Sequence, residues 1–419
     1  MSIAGALNSA VSSLYAQSQA LSNIADNLSN SGTTAYKANS TSFESLVASS
    51  GSSSSGGVTS STRSNNSAQG LLTATSSETD LAIDGEGYFV VSTTTDGTGS
   101  SYYTRNGEFE IDNEGYLVNG DYYLMGWETD EDGNIMGGTS ESSLVAIDTD
   151  AYQSSVGATT EIDMQANLPA DAAVGDTFST TVEVYDSLGT SSTMEVTWEK
   201  TDENTWEMSF SDPTVSSTGV DGGDTSTTAI ELTFNEDGSL ASTNPDPATI
   251  SISDWSTGAA DSTITLNLGT VGKSDGLTQL SSDSSEPSIT IDSISQDGLA
   301  YGSLSGVEIT DDGSVVASYT NGESRTIYKI PVATFGNENG LQEMSGGVYA
   351  STNTSGTSII QEAGSGSAGS INGGYLESST TDTSEEFSRM LSAQQAYSAS
   401  SQILSTASDM FDTLMSAVR

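Results

Sequence analysis

The chain has 419 residues, with 9 Lys and Arg against 57 Asp and Glu, a formal charge of -48. That imbalance excludes recognition of nucleic acid or of an anionic membrane through a basic patch. Neither Cys nor His occurs, which removes disulfides, thiolate chemistry, the commonest metal ligand and every Ser-His or Cys-His catalytic arrangement.

The length calls for about two to four domains. No stretch reaches the roughly 20 apolar residues of a membrane-spanning helix, so no membrane insertion is expected. The first basic residue is Lys37. The N-terminus therefore lacks the charged start of a cleaved secretory signal, and export is expected by another route.

Residues 1–30 carry Leu7, Leu14, Leu21 and Leu28 at intervals of seven, with Ala4, Val11 and Ala25 in the complementary positions. This is a narrow apolar stripe on a helix of about 33 Å from Leu7 to Leu28. So thin a stripe is marginal in water by itself, and neighbours are expected to order it. The helix is predicted to end near Asn30-Ser31-Gly32, where Asn and Gly tolerate left-handed conformations. Residues 31–70 form a connector, whose Ser, Gly, Thr and Asn tract over 48–69 reads as extended or flexible chain.

From Leu71 the pattern changes to that of strands. Leu81, Ile83 and Tyr88 to Val91 mark strands, and Asn106-Gly107 and Glu114-Gly115 read as tight hairpin turns. Acidic turns recur at Asp130-Glu131-Asp132-Gly133-Asn134, Asn235-Glu236-Asp237-Gly238 and Asp311-Asp312-Gly313. The first lacks calcium-loop spacing because Ile135 stands where that loop requires Gly, so no metal site is assigned. Residues 146–288 form a second β-rich region with alternation at Val182, Val184, Val196, Trp198, Trp206, Met208 and Phe210, a sandwich or a barrel. Residues 289–362 return to strands, and 71–145 with 289–362 read as one inner β domain interrupted by that insertion. After a connector at 363–375, residues 376–419 hold a helix of about 52 Å, capped by Asp382 or Thr383 with Glu385 or Glu386 closing a capping box. Met390, Tyr397, Leu404, Phe411 and Val418 again recur every seven residues. The fold class is mainly β with terminal α-helices, the two helices pairing as a coiled coil.

Three stretches carry a family resemblance. Ala25 to Asn30, which includes Asn27, runs into Thr33-Thr34-Ala35-Tyr36-Lys37. Tyr103-Thr104-Arg105-Asn106-Gly107 is followed by Phe109, Asp112 and Gly115-Tyr116-Leu117. Ala393-Gln394-Gln395-Ala396-Tyr397 lies in the last helix. Together these resemble the bacterial flagellar rod and hook proteins, with Ala35 where Gly is usual and Gln395 where Arg is common. The resemblance implies a structural subunit whose terminal helices line a hollow helical polymer and whose β domains form outer shells. The insertion at 146–288 points to the hook type rather than the shorter rod type. The implied partners are further copies of the chain, rod and hook-filament junction proteins, a hook cap and the flagellar type III export apparatus. The implied location is the extracellular hook, and no cofactor is implied.

Two other classes compete. Paired carboxylates can hydrolyse glycosides without His, but no acidic pair here sits among aromatic subsites, and no catalytic residue is assigned. A β-domain adhesin accounts for the Ser/Thr-rich strands but not for the matched terminal helices.

Overall fold

The computed structural model describes residues 3–46, 57–130, 132–226, 229–282 and 286–417. The chain divides into two compact units. One comprises Met1–Tyr152, Gly306–Ala317 and Ser324–Arg419; the other comprises Gln153–Ser305 and Ser318–Glu323.

In the first unit, helix α1 (Ile3–Ser29) packs along helix α2 (Thr383–Ala417). The Asp382 carboxylate accepts the Ser384 and Glu385 N–H groups at 2.8 and 3.1 Å and so caps α2. The predicted capping box does not close, because Glu385 turns to Arg389 instead, at 2.6 Å. The expected passive connector is in part a hairpin. Ser40–Ser45 pairs antiparallel with Val58–Arg63, and both strands lie on α1. Alternating Ser and Thr suit a two-stranded ribbon solvated on one side, and composition alone reads such a pattern as loop.

The β body of this unit centres on Tyr88–Ser92, buried along its whole length. Ser101–Thr104, Tyr122–Glu128 and Pro331–Thr334 pair antiparallel with it. Tyr88, Val90, Tyr103, Trp127 and Tyr349 form its core with edge-to-face aromatic contacts. The second expected connector is also paired: Ser370–Gly373 lies on Leu81–Asp84, and Tyr375–Glu377 on Leu72–Ala74. The outgoing and returning chain are thus hydrogen-bonded side by side at the root of the helices.

The second unit is a sandwich, which resolves the choice between sandwich and barrel. One six-stranded sheet contains Glu161–Pro169 and Ser262–Asn267; the other runs through Thr177–Tyr185, Ser191–Asp202, Thr205–Phe210 and Ile230–Phe234. Inward residues of both sheets, among them Met164, Val184, Trp198, Trp206, Ile250 and Ile264, share one core. The boundaries expected from sequence shift. Thr290–Gln296, assigned above to the inner domain, pairs with Glu161–Pro169 and belongs to the sandwich unit. A period of two identifies a strand but not the sheet it joins.

Candidate functional site

The predicted leucine stripe is not the most buried line of the helical pair. Leu7, Leu14, Leu21 and Leu28 are only half-buried, Val11 is 37% exposed and Ala25 is exposed. The buried line of α1 is Ala10, Ala16, Ala20, Asn23, Ile24 and Asn27. On α2 the buried residues recur every seven positions at Glu386, Ala393, Ser400 and Ala407. Met390 and Leu404 are half-buried beside them, while Tyr397 is 43% exposed and Phe411 is exposed. Val418 lies outside the described residues. At the contact, Ser13 and Ser400 share a hydrogen bond of 2.9 Å.

Polar side chains of α1, the buried Asn23 among them, hold the hairpin. Asn23 donates to Thr41 and Thr62, and the Ser12 hydroxyl accepts from Val58 N–H. Asn27 fastens the helix end: its amide donates to the Asn39 carbonyl at 2.8 Å, and its Oδ1 accepts from Asn39 N–H and the Tyr36 hydroxyl. Thr33 donates to Asn30 Oδ1 and Thr34 to Glu108 at 2.7 Å. The left-handed residue after α1 is neither Asn30 nor Gly32 but Ala35, with φ 57°. Its N–H donates to the Glu377 carbonyl at 2.7 Å, so the conformation places one backbone bond between the two arms.

Below the helices lies a buried ion cluster. Lys37 Nζ is 2.5 Å from Glu377 Oε1 and donates to the Ala68 carbonyl at 2.6 Å. The same Glu377 oxygen accepts Gly70 N–H at 2.6 Å, and Arg105 Nη1 lies 3.5 Å from the other carboxylate oxygen. Arg105 also donates to the Gly85 carbonyl and stacks its guanidinium 5.2 Å from the centre of the Tyr88 ring. Burial lowers the Lys37 pKa, opposed by Glu377, and burial raises that of nearby Glu338. A pair so desolvated contributes little beyond what an apolar replacement would, but it is costly to break and it specifies one arrangement of the strands carrying it.

The remaining motif residues brace this cluster. Thr104 donates to the Gly347 carbonyl and accepts from Asn106 N–H, and Asn106 in turn accepts from Glu108 N–H. Gly107 is not a hairpin turn, contrary to expectation. A Cβ there would stand 1.7 Å from the Leu81 carbonyl oxygen, and it is this close backbone approach that requires glycine. Gly115, with φ 87°, does turn the hairpin of Glu110–Ile111 and Leu117–Asn119, and Asp112 accepts from Glu114 and Tyr116 N–H. Tyr103, Phe109 and Leu117 are core residues, and Tyr116 meets the Tyr123 ring edge-on. Sequence reasoning missed Glu377. The signal was available in principle: two of only nine cations occupy motif positions, and buried cations need a buried anion.

A chain whose ends return to one helical pair, bonded at its root to a β body that carries an inserted sandwich, has the build of an axial structural subunit of the bacterial flagellum. Residues 82–164 match the flagellar hook protein FlgE/F/G D1 domain, 152–299 the flagellar basal body protein FlaE D2 domain and 372–417 the flagellar basal body rod FlgEFG protein C-terminal domain. The flagellar hook protein FlgE of Rhizobium meliloti is 35% identical over the whole of both chains. That of Salmonella typhimurium is 30% identical over 97% of this chain and 98% of its own. The crystal structure of the Helicobacter pylori flagellar hook protein FlgE2 shares the fold, with a TM-score of 0.52 at 15% identity over 73% of this chain and all of the other. The chain belongs to the flagellar hook protein family and is a structural subunit of the hook.

Proposed function

We propose that the chain polymerises head to tail, through its terminal helices, into the hollow curved tube that couples motor and rod to the filament. The observation that carries this reading is the apolar surface left on the helical pair. Phe387, Leu391, Ile403, Met410 and Met415 of α2 each stand more than half exposed, and identical contacts that do not close bury such a surface in a helical polymer. Rod, junction and cap proteins adjoin the tube at its ends, the type III apparatus exports the chain with its N-terminus uncleaved, and the subunit has no catalytic role. Electron microscopy of purified protein after assembly tests the reading. Wild type is expected to form tubes, whereas Leu14→Asp with Leu21→Asp leaves the β units folded by circular dichroism and forms none. Tubes from that variant would overturn it.

A further inference from the structure

The net charge is spread unevenly over the parts of the chain. Helix α1 carries one charged residue, Asp26, and α2 carries none between Met390 and Ser408. The sandwich unit, 153–305 with 318–323, holds 26 Asp and Glu against Lys200 and Lys273 alone, and so contributes half of the net charge of -48. Its fold stacks these charges instead of dispersing them. In Ser191–Asp202, Thr205–Phe210 and Ile230–Phe234 the inward residues Trp198, Trp206 and Leu232 fill the core, which leaves Glu199, Glu207 and Glu231 exposed on the outer face. The register sets Glu199 opposite Glu207 and Glu207 opposite Glu231, and like charges so placed disfavour the sheet.

Most cations that could answer them are engaged within the chain. Lys200 is buried and donates to the Ala170 and Ala172 carbonyls at 2.7 and 2.9 Å. Lys37 and Arg105 are buried on Glu377, Lys329 pairs with Glu362, Arg389 pairs with Glu385, and Arg325 lies over the Tyr152 ring. Among the described residues, that leaves Arg63 and Lys273, both exposed, to face the remaining carboxylates. A neighbouring copy therefore meets the sandwich with more carboxylates and almost no cations. We propose that the sandwich unit makes assembly of this chain dependent on ionic strength: its charge holds copies apart at low salt, and cations of the medium must screen it before the nearly uncharged helical pairs join. The field of an exposed charge reaches about 30 Å at 0.01 M salt and about 3 Å at 1 M, so the repulsion spans a domain in the first case and vanishes in the second. Screening belongs to the ion atmosphere and asks for no particular cation. Copies held by complementary ion pairs would respond in the opposite sense and separate as salt rises.

The inference rests on the polymerisation proposed above, and the test separates the two. Critical concentrations for tube formation are measured for full-length wild type from about 20 mM to about 1 M NaCl or KCl, a range over which the screening length falls several-fold. A fall of about tenfold is expected, equal for the two salts. Replacing 153–305 with a Gly/Ser linker removes the sandwich charge and is expected to reduce that fall to about twofold or less. As a variant that keeps every strand, Glu195→Gln with Glu199→Gln, Glu207→Gln and Glu231→Gln is expected to assemble at about a third of the wild-type concentration at low salt and to match wild type at high salt. A wild-type critical concentration that stays constant or rises with salt, or that responds to one of the two cations alone, would overturn screening. An equal fall in the linker variant, or a glutamine variant that coincides with wild type at low salt, would overturn the role of the sandwich. Absence of tubes from wild type at every salt concentration would overturn the assembly reading and this control with it.

Discussion

Lys37 and Glu377 stand 340 residues apart in sequence and 2.5 Å apart in the fold, with side chains 1% and 0% exposed. Lys37 follows the first helix and Glu377 precedes the second, so this pair fastens the outgoing arm to the returning one. Arg105 from the β body closes on the same carboxylate. The helical pair is thereby anchored to the sheet by charge and not only by apolar contact.

Glu377→Gln leaves Lys37 and Arg105 buried without their anion. The expected loss is about 3–5 kcal/mol of unfolding free energy, measured by denaturant titration of helix signal. Lys37→Met with Glu377→Met is expected to cost less than the sum of the single changes, since the double change removes the Lys37 and Glu377 charges that the single changes strand and leaves only Arg105 without its anion. Additive losses would show that the two residues act separately.

Ala35 adopts a left-handed conformation that costs a non-glycine residue roughly 1–2 kcal/mol. Ala35→Gly relieves this strain and returns part of it as freedom of the unfolded chain. The net expectation is a gain of up to about 1 kcal/mol, read as a higher denaturation midpoint. Ala35→Val is expected to lose stability, because a β-branched side chain fits that conformation worse.

The sandwich unit carries an acid-sensitive clasp at Asp297. Its carboxylate accepts Thr160 N–H at 2.8 Å, Glu161 N–H at 3.0 Å and the Thr160 hydroxyl at 2.5 Å. Burial pulls its pKa up, and these bonds outweigh burial and hold it below the ordinary value of 3.8. A carboxyl depressed in the folded state contributes stability above its unfolded pKa and loses it as pH falls through the folded value. Asp297→Asn is therefore expected to lower the thermal midpoint at neutral pH. The difference from wild type should shrink once pH drops below 3.8. Tryptophan fluorescence follows this, since Trp198, Trp206 and Trp255 all lie in the sandwich core.

Gln153 and Leu304 are joined by a backbone hydrogen bond of 2.8 Å, so the long segment between them leaves and re-enters at one point. Replacing 153–305 with a short Gly/Ser linker is expected to preserve tube formation while changing curvature or bending stiffness in electron micrographs. Complete loss of assembly would place the sandwich among the essential subunit contacts.

Much of this architecture was legible in the chain itself. Heptad spacing at both ends marked the two helices, a continuous apolar run marked Tyr88 to Val91 and alternation marked Val182, Val184, Val196 and Trp198 as strands, and the run from Tyr103 to Leu117 carried the family. These are local signals, since period, capping and turn chemistry act over a few residues. What tertiary structure decided was which residues meet. It buried Ala10, Ala16, Ala20 and Ile24 more deeply than the leucine stripe, turned parts of two presumed connectors into paired strands, gave Gly107 a steric reason and brought Glu377 to Lys37 and Arg105. The physical reason is common to all four. Close approach and the pairing of buried charge depend on contacts between segments tens to hundreds of residues apart, and no local pattern records the distance at which they pack.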